Sequence, residues 1–390
     1  MNIYLSGRID SNNAAEIESD ISRQLAETHG EIPIFDAEKL EYISSAGLRV
    51  LLKFRKNFNT KLDVLNVSDD VYSIFDVTGF TELFNVRKKL REISVEGHEV
   101  IGEGHFSKVY RLDPETVVKV FTHPTATLES AESDRKTSRE VFLHDIPTAI
   151  AYDVVKVGER YGLVYEMINA DTVSGTLTKQ PERLEELSLK MSRLMKKLHT
   201  TEFEPGTFRD ARETLHSKLD RPYSMGMINS EDKTSIDELI DRIPYRNTFV
   251  HFDFHPKNVM LNDNDLILID VGGAGLGHPI ADLMFSYSHL VSLARITSED
   301  CIPGHKEAIG LDADTLGVMW NVIAAEYFGT TDSDTLKHYD EIIRDYSLML
   351  LPHFISIGEN SKNKLAFEIA AKAIESLRKV IGSLKPIDSI

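Results

Sequence analysis

In the first ninety residues, short apolar runs at 2–5, 32–35 and 61–67 alternate with stretches at 12–27 and 46–58 whose apolar positions recur every three or four residues. Runs of the first kind suit strands, and the wider spacing suits one face of a helix. Their alternation predicts a small α/β domain with helices packed on a mixed sheet and a short first strand. Beyond residue 94 the pattern changes. Residues 101–110 read as a glycine-rich turn between two strands, 117–121 as an apolar strand, and 161–168 as another strand. Between 181 and 199, Leu184, Leu187, Met191, Leu194 and Leu198 fall on one helical face, with Pro181 in the first turn. Similar spacing at 232–243, 282–294, 314–328, 335–350 and 363–383 predicts a large helical part. A chain of 390 residues exceeds what one core serves, and 42% apolar residues suffice for two. The division is expected near Ser94, giving 1–93, a strand-rich 94–168 and a helical 169–390.

The segment from His251 to Asp270 reads HFDFHPKNVMLNDNDLILID, so Asp253, Asn258 and Asp270 stand five and then twelve residues apart. Phosphoryl transfer needs an acid that orients an attacking hydroxyl and accepts its proton, with oxygen ligands that hold Mg²⁺ against phosphates. Asp253 suits the first task, and Asn258 with Asp270 the second. Upstream, Gly102, Gly104 and Ser107 lie in a turn able to bring backbone N–H groups close to phosphates; taken alone, the turn is equally an ordinary hairpin. Lys119 stands in the apolar run Val117 to Phe121, as a phosphate ligand or as a water-facing residue of an edge strand.

The order of these parts resembles the kinase-like fold of aminoglycoside phosphotransferases, choline kinases and protein kinases. That resemblance implies an α+β bilobal domain with a small β-rich lobe and a large helical lobe, using ATP or GTP with Mg²⁺. It assigns Lys119 to the α/β-phosphates and Glu140 to hold that lysine, with Glu132 and Glu129 as weaker choices. The hinge that receives the base falls at Glu166 to Ile168. The loop His251-Phe252-Asp253 and the turn Ile269-Asp270-Val271-Gly272 look like the aminoglycoside phosphotransferase branch, and no Ala-Pro-Glu segment follows. Where that branch usually has glycine, this chain has Phe252, which would narrow the space beside the base. Asp282 suits a helix cap and anchor, and His199 a packing or capping role.

The line Leu40-Glu41-Tyr42-Ile43-Ser44-Ser45-Ala46-Gly47 resembles the STAS domain of bacterial anti-sigma-factor antagonists, as do residues 5–10 and 75–80. Aligned on Gly47, the phosphorylation position of that family falls on Ser45, with Ser44 in place of the aspartate and Ala46 in place of the second hydroxyl residue. A serine here serves equally as a simple helix cap, while a phosphate would be favoured by unpaired N–H groups and the helix dipole. The α/β STAS-like domain would then be a regulatory module with a protein partner.

Residues 1–93 carry 12 basic and 15 acidic side chains, a net −3, which leaves −15 of the total −18 for the rest. Such a chain lacks the basic footprint of nucleic-acid binding and would draw cationic acceptors such as aminoglycosides, choline or polyamines. One cysteine, Cys301, excludes an internal disulfide and suits a reducing compartment. With neither a leader nor a long apolar span, the expectation is a cytoplasmic protein without a membrane partner, and the resemblance to anti-sigma-factor antagonists implies a bacterial source. The expected activity is transfer of the γ-phosphoryl group to a hydroxyl of a small molecule. Two alternatives remain: a serine kinase acting on Ser45 or on a partner, and a nucleotide-binding interaction protein without turnover. The acceptor would lie among residues 201–245 and 301–345.

Overall fold

Buried side chains form two separate cores, one running from Ile3 to Phe84 and the other from Val141 to Ile387. The computed structural model describes residues 1–26, 31–104, 106–296, 309–357, 361–362, 364–385 and 387. Cys301 and the start of the second expected acceptor segment lie outside these residues.

The first core belongs to a four-stranded sheet of Asn2–Ile9, Ile34–Ile43, Asp63–Val67 and Asn85–Lys88, paired in that order. Every pairing is parallel, so the mixed sheet expected from the sequence is corrected. Parallel neighbours cannot be joined by a hairpin, and helices Ala14–Ala26, Ser45–Arg55 and Asp69–Val77 make the connections. The first strand is a full eight residues and buries Ile3, Leu5 and Ile9. Residues 154–159 group with residues 1–94 in this unit, and Arg91 and Glu92 pair in parallel with Val155 and Lys156.

Gly47 has a steric purpose. A Cβ there would lie 2.7 Å from both Ile43 Cγ1 and Ile9 Cγ2. Only glycine lets the helix start this close to two buried strands. Ser44 is the cap of that helix, its Oγ accepting from the N–H groups of Ala46 and Gly47 at 3.2 and 3.5 Å. Ser45, the first helical residue, is exposed.

The second unit opens with antiparallel strands Val100–Glu103, Ser107–Arg111, Thr116–Phe121 and Arg160–Glu166, paired in that order. Thr116–Phe121 is paired on both sides, so Lys119 does not sit on an edge strand. Helix Leu128–Leu143 starts with a Thr127/Ser130 capping box. The helical part holds Leu184–Thr200, Ala211–Ser224, Ser230–Asp241, Ile280–Tyr287, Ala313–Phe328, Ser333–Ser347, Leu351–Ile357 and Lys364–Val380. Two small antiparallel ladders, Val259–Asn262 with Asp265–Leu268 and Phe249–Val250 with Gly275–Leu276, bracket the 251–258 loop and the turn after Asp270. Among the described residues, no helix is long and apolar enough to cross a membrane.

Candidate active site

The loop after Phe249–Val250 is fixed from below by one buried carboxylate. Asp282, fully buried in the first turn of Ile280–Tyr287, accepts the His251 N–H at 2.8 and 2.9 Å and the Phe252 N–H at 2.6 Å. Its other partner is His199 Nε2 at 3.1 Å, and His199 Nδ1 meets the Tyr327 hydroxyl at 2.7 Å. Asp282 therefore holds the loop and does not serve as a simple helix cap, and His199 supports Asp282. Phe252 has φ +66°, a left-handed backbone that a glycine adopts without strain. Its ring does not narrow the space beside the base: it is buried, edge-on to Phe285 at 5.6 Å.

His251 joins the two halves of the site. Its Nδ1 accepts the Asp253 N–H at 3.2 Å, so the neutral ring carries its proton on Nε2, which donates to the Ile269 carbonyl at 3.1 Å. Asn258 uses both amide hydrogens on Asp253, reaching its backbone oxygen at 2.9 Å and Oδ2 at 2.8 Å. The Asn258 Oδ1 stays available as a ligand. His255 Nδ1 accepts the Lys257 N–H at 3.3 Å, which leaves its Nε2–H to donate to Asp253 Oδ1 at 3.3 Å. His289 Nε2 approaches the same oxygen at 3.2 Å. Burial alone would raise the Asp253 carboxyl, but His255 and His289 outweigh it and hold it well below the usual carboxylate range.

Across from this loop, Lys119 forms a direct ion pair with Asp270 Oδ1. Burial works to lower the lysine, and the Asp270 charge reverses that and raises it. Lys119 in turn holds Asp270 below its ordinary value, against the effect of burial. Asp270 itself has φ +63°. The Asn258 Oδ1 and the Asp270 oxygen not used by Lys119 are hard donors, a fit for Mg²⁺. Asp253, His255 and His289 also bring one oxygen and two nitrogens within 4.8 Å of one another. With His255 Nδ1 already accepting a hydrogen bond, its Nε2 carries a proton and offers no lone pair to a metal.

The remaining predicted positions divide. Glu140, the expected partner, makes no ion pair with Lys119 among the described residues; the helix carboxylate whose charge bears on Lys119, after those of Asp270 and Tyr165, is Asp134. Six residues separate the two along the helix, so they occupy different faces. Burial pushes Asp134 up to about 6, with Lys119 opposing and Asp270 assisting. A Cβ on Gly272 would lie 2.4 Å from the Asp134 carboxylate, which explains glycine at that place. Glu132 pairs with Arg135 instead. Gly102, Gly104 and Ser107 do form the tip of a hairpin, closed by Gly104 N–H on the Ser107 carbonyl at 2.9 Å. At the hinge, the N–H groups of Glu166 and Met167 are taken by the carbonyls of Ile150 and Glu115, and the Glu166 carboxylate holds the Ile150 N–H at 2.7 Å. The Ile168 N–H makes no hydrogen bond among the described residues.

A family model described as the phosphotransferase enzyme family matches residues 98–308, more than half of the chain. The chain belongs to the phosphotransferase enzyme family. A STAS model matches residues 1–93. This phosphotransferase therefore joins an α/β STAS domain to an α+β, bilobal, protein-kinase-like domain. Its STAS domain is 32% identical over 85 residues to BtrV of Bordetella bronchiseptica, described as a putative anti-sigma factor antagonist, a match spanning 21% of this chain and 72% of the relative. Among solved structures, the ADP-bound aminoglycoside phosphotransferase APH(2'')-Ib aligns at 15% identity with a TM-score of 0.48, covering 73% of this chain and 93% of that one. A choline/ethanolamine kinase family protein from Mesorhizobium loti aligns at 14% identity with a TM-score of 0.45, covering 73% and 88%.

Proposed function

We propose that this phosphotransferase moves the γ-phosphoryl group of Mg-ATP or Mg-GTP to a hydroxyl of a small molecule, with the STAS domain as a regulatory, partner-binding module. One observation carries the reading. Lys119 pairs with Asp270, Asn258 bonds Asp253, and His251 ties the Asp253 backbone to Ile269, so residues distant in sequence meet around one centre. In the reaction, the acceptor oxygen forms a bond to the γ-phosphorus while the bond from that phosphorus to the β-bridging oxygen breaks. The hydroxyl proton passes to the Asp253 carboxylate, and the nucleoside diphosphate leaves. Asp253, kept as the anion and oriented by Asn258 and His255, suits a group that aligns the acceptor hydroxyl and takes its proton as transfer proceeds. Lys119 offsets phosphate charge, and the hairpin at Gly102, Gly104 and Ser107 lies in the order expected for a phosphate cover. The Ile168 N–H, without a hydrogen bond among the described residues, would be available to the nucleotide's base. A divalent ion on Asn258 and Asp270 would add positive charge against the phosphate oxygens. The single cysteine suits a reducing compartment, and we assign the reaction to the cytoplasm.

Asp253→Asn tests the assignment. It should keep its stabilisation by Mg-ATP in a thermal-shift assay while turnover falls about a hundredfold to ten-thousandfold, the range for a lost general base. Turnover near that of the unmodified enzyme would refute the role. A second reading, transfer to protein serine, is favoured by Ser45, whose exposed hydroxyl stands at a helix N-terminus already capped by Ser44. Mass spectrometry of the same incubations decides it, since phosphate absent from Ser44 and Ser45 in cis and in trans removes that reading.

A further inference from the structure

Within reach of the Asp253 charge stands a lysine, although the chain as a whole is strongly acidic. Three helical elements meet there. Helix Ala211–Ser224 contributes Lys218, the π-type turn Ser288–Ser292 contributes His289, and Leu351–Ile357 contributes His353 and Phe354. Lys218 Nζ stands 5.9 Å from the centre of the Phe285 ring, which meets Phe354 at 5.5 Å. The Phe354 ring is 4.8 Å from His289, and His289 reaches Asp253. These contacts connect Lys218 to the base through two aromatic rings.

Lys218 is half-buried, and no carboxylate lies within ion-pair distance of its Nζ among the described residues. A lysine withdrawn from water without a counter-ion is costly, and an arriving anion would relieve that cost. Burial draws its ammonium down, and the Asp253 charge opposes this. The His353 Nδ1 is buried without a partner among the described residues. Burial, then the charges of Lys218 and Arg221, push His353 down to about 3, so it is neutral and does not compete for an anion as a second cation. The groove between helices Ala211–Ser224 and Ser230–Asp241 is lined by Glu213, His216, Ser217 and Asp220 from the one and Lys233 and Asp237 from the other, and does not include Lys218.

We propose that the hydroxyl acceptor of this phosphotransferase carries an anionic group, a phosphate or a carboxylate, held by Lys218 beside the Phe285 and Phe354 rings. This rests on the reading of Asp253 as the base for a small-molecule hydroxyl. It reverses the expectation of a cationic acceptor drawn from the net charge of −18. A polycationic acceptor would meet an unpaired lysine at the place where it needs carboxylates.

The test uses the full chain with Mg-ATP and acceptors matched in size. One set is glycerol, glycerate and glycerol 3-phosphate; the other is glucose, glucosamine, gluconate and glucose 6-phosphate. The anionic members should show kcat/KM at least about tenfold above their neutral or aminated counterparts, and comparison of carboxylate with phosphate identifies the group. Lys218→Met should raise the KM for the preferred anion roughly tenfold with the KM for ATP unchanged, and Lys218→Arg should restore most of the loss. A matching thermal shift with Mg-ADP verifies that the variant is folded, and the acceptor comparison on the unmodified chain stands without it. Preference for a neutral or aminated acceptor, or an unchanged KM in Lys218→Met, overturns the inference and leaves phosphoryl transfer intact. Failure to release phosphoryl groups from ATP or GTP to any acceptor or to water overturns both.

Discussion

Asp282 lies outside the reacting groups, yet substituting it should cost both stability and rate. Its two oxygens take the N–H groups of His251 and Phe252 and the imidazole of His199, all in a fully buried setting. Asp282→Asn keeps one acceptor oxygen but removes the charge and turns an NH₂ toward groups that donate. A hydrogen bond to a charged group contributes about 1.5–3 kcal/mol and a neutral one about 1, so two weakened backbone bonds and one opposed donor amount to about 2–4 kcal/mol. The same bonds hold Phe252 at φ +66°, where an L-residue is strained by roughly 1–2 kcal/mol. A loosened loop displaces Asp253, and a shift of that kind costs up to about a hundredfold in rate. Lys119 and Asp270 do not touch Asp282, so nucleotide binding should change little. Urea unfolding, followed by Trp320 fluorescence, measures the stability, and steady-state kinetics separates kcat from the KM for ATP. An unchanged urea midpoint together with a kcat within about twofold of the unmodified enzyme would show that the Asp282 bonds do not hold the loop.

Two further outcomes follow from burial. Because Asp134 has a raised value of about 6, the stability it contributes is complete below the ordinary carboxylate range and is lost as pH rises through about 6. Asp134→Asn should therefore be more stable than the unmodified chain at pH 8, by about 1–2 kcal/mol after allowance for partial solvation, with the gain shrinking toward pH 4; a pH-independent difference in urea midpoint would contradict the assignment. Gly47→Ala should destabilise the STAS core by about 1–3 kcal/mol through its contacts with Ile9 and Ile43. Far-UV circular dichroism should report that loss, with fluorescence of Trp320, the sole tryptophan and a member of the other core, as the internal reference; no loss would mean those isoleucines yield.

What the sequence disclosed, and what it withheld, follows from the range over which each interaction acts. Asp253 and Asn258 are linked by a local loop, and their spacing alone relates them. Lys119 stood out because a lysine within an apolar strand needs a partner. The choice between Asp134 and Glu140 required the rotation of helix Leu128–Leu143 about its axis, which a weakly amphipathic sequence does not fix. Asp282 and His199 are 83 residues apart, and no periodicity relates a helix end to another helix. Helix Ala211–Ser224 went unread because it buries only Ala211, Leu215, Leu219 and Pro222, and Pro222 near its end argues against a helix. Lys218 was overlooked with it. The parallel sheet escaped because an apolar run carries no information about strand direction.

Two residues with left-handed backbones flank the reaction centre, and they are held by different means. Phe252 is fixed by a buried carboxylate outside the proposed reacting groups, so Asp253, the proposed base, is positioned before any ligand arrives. Asp270 is fixed by Lys119, and that contact uses the charge each would direct at a nucleotide. On the proposed reading, phosphates would compete for the lysine and a divalent cation for the aspartate, so loading the nucleotide would exchange one ion pair for two. The exchange would be favoured when both arrive, because phosphates alone would leave the half-buried Asp270 charge without its partner. Nucleotide and metal should therefore bind cooperatively on the Lys119 side, while the Asp253 side stays as it is.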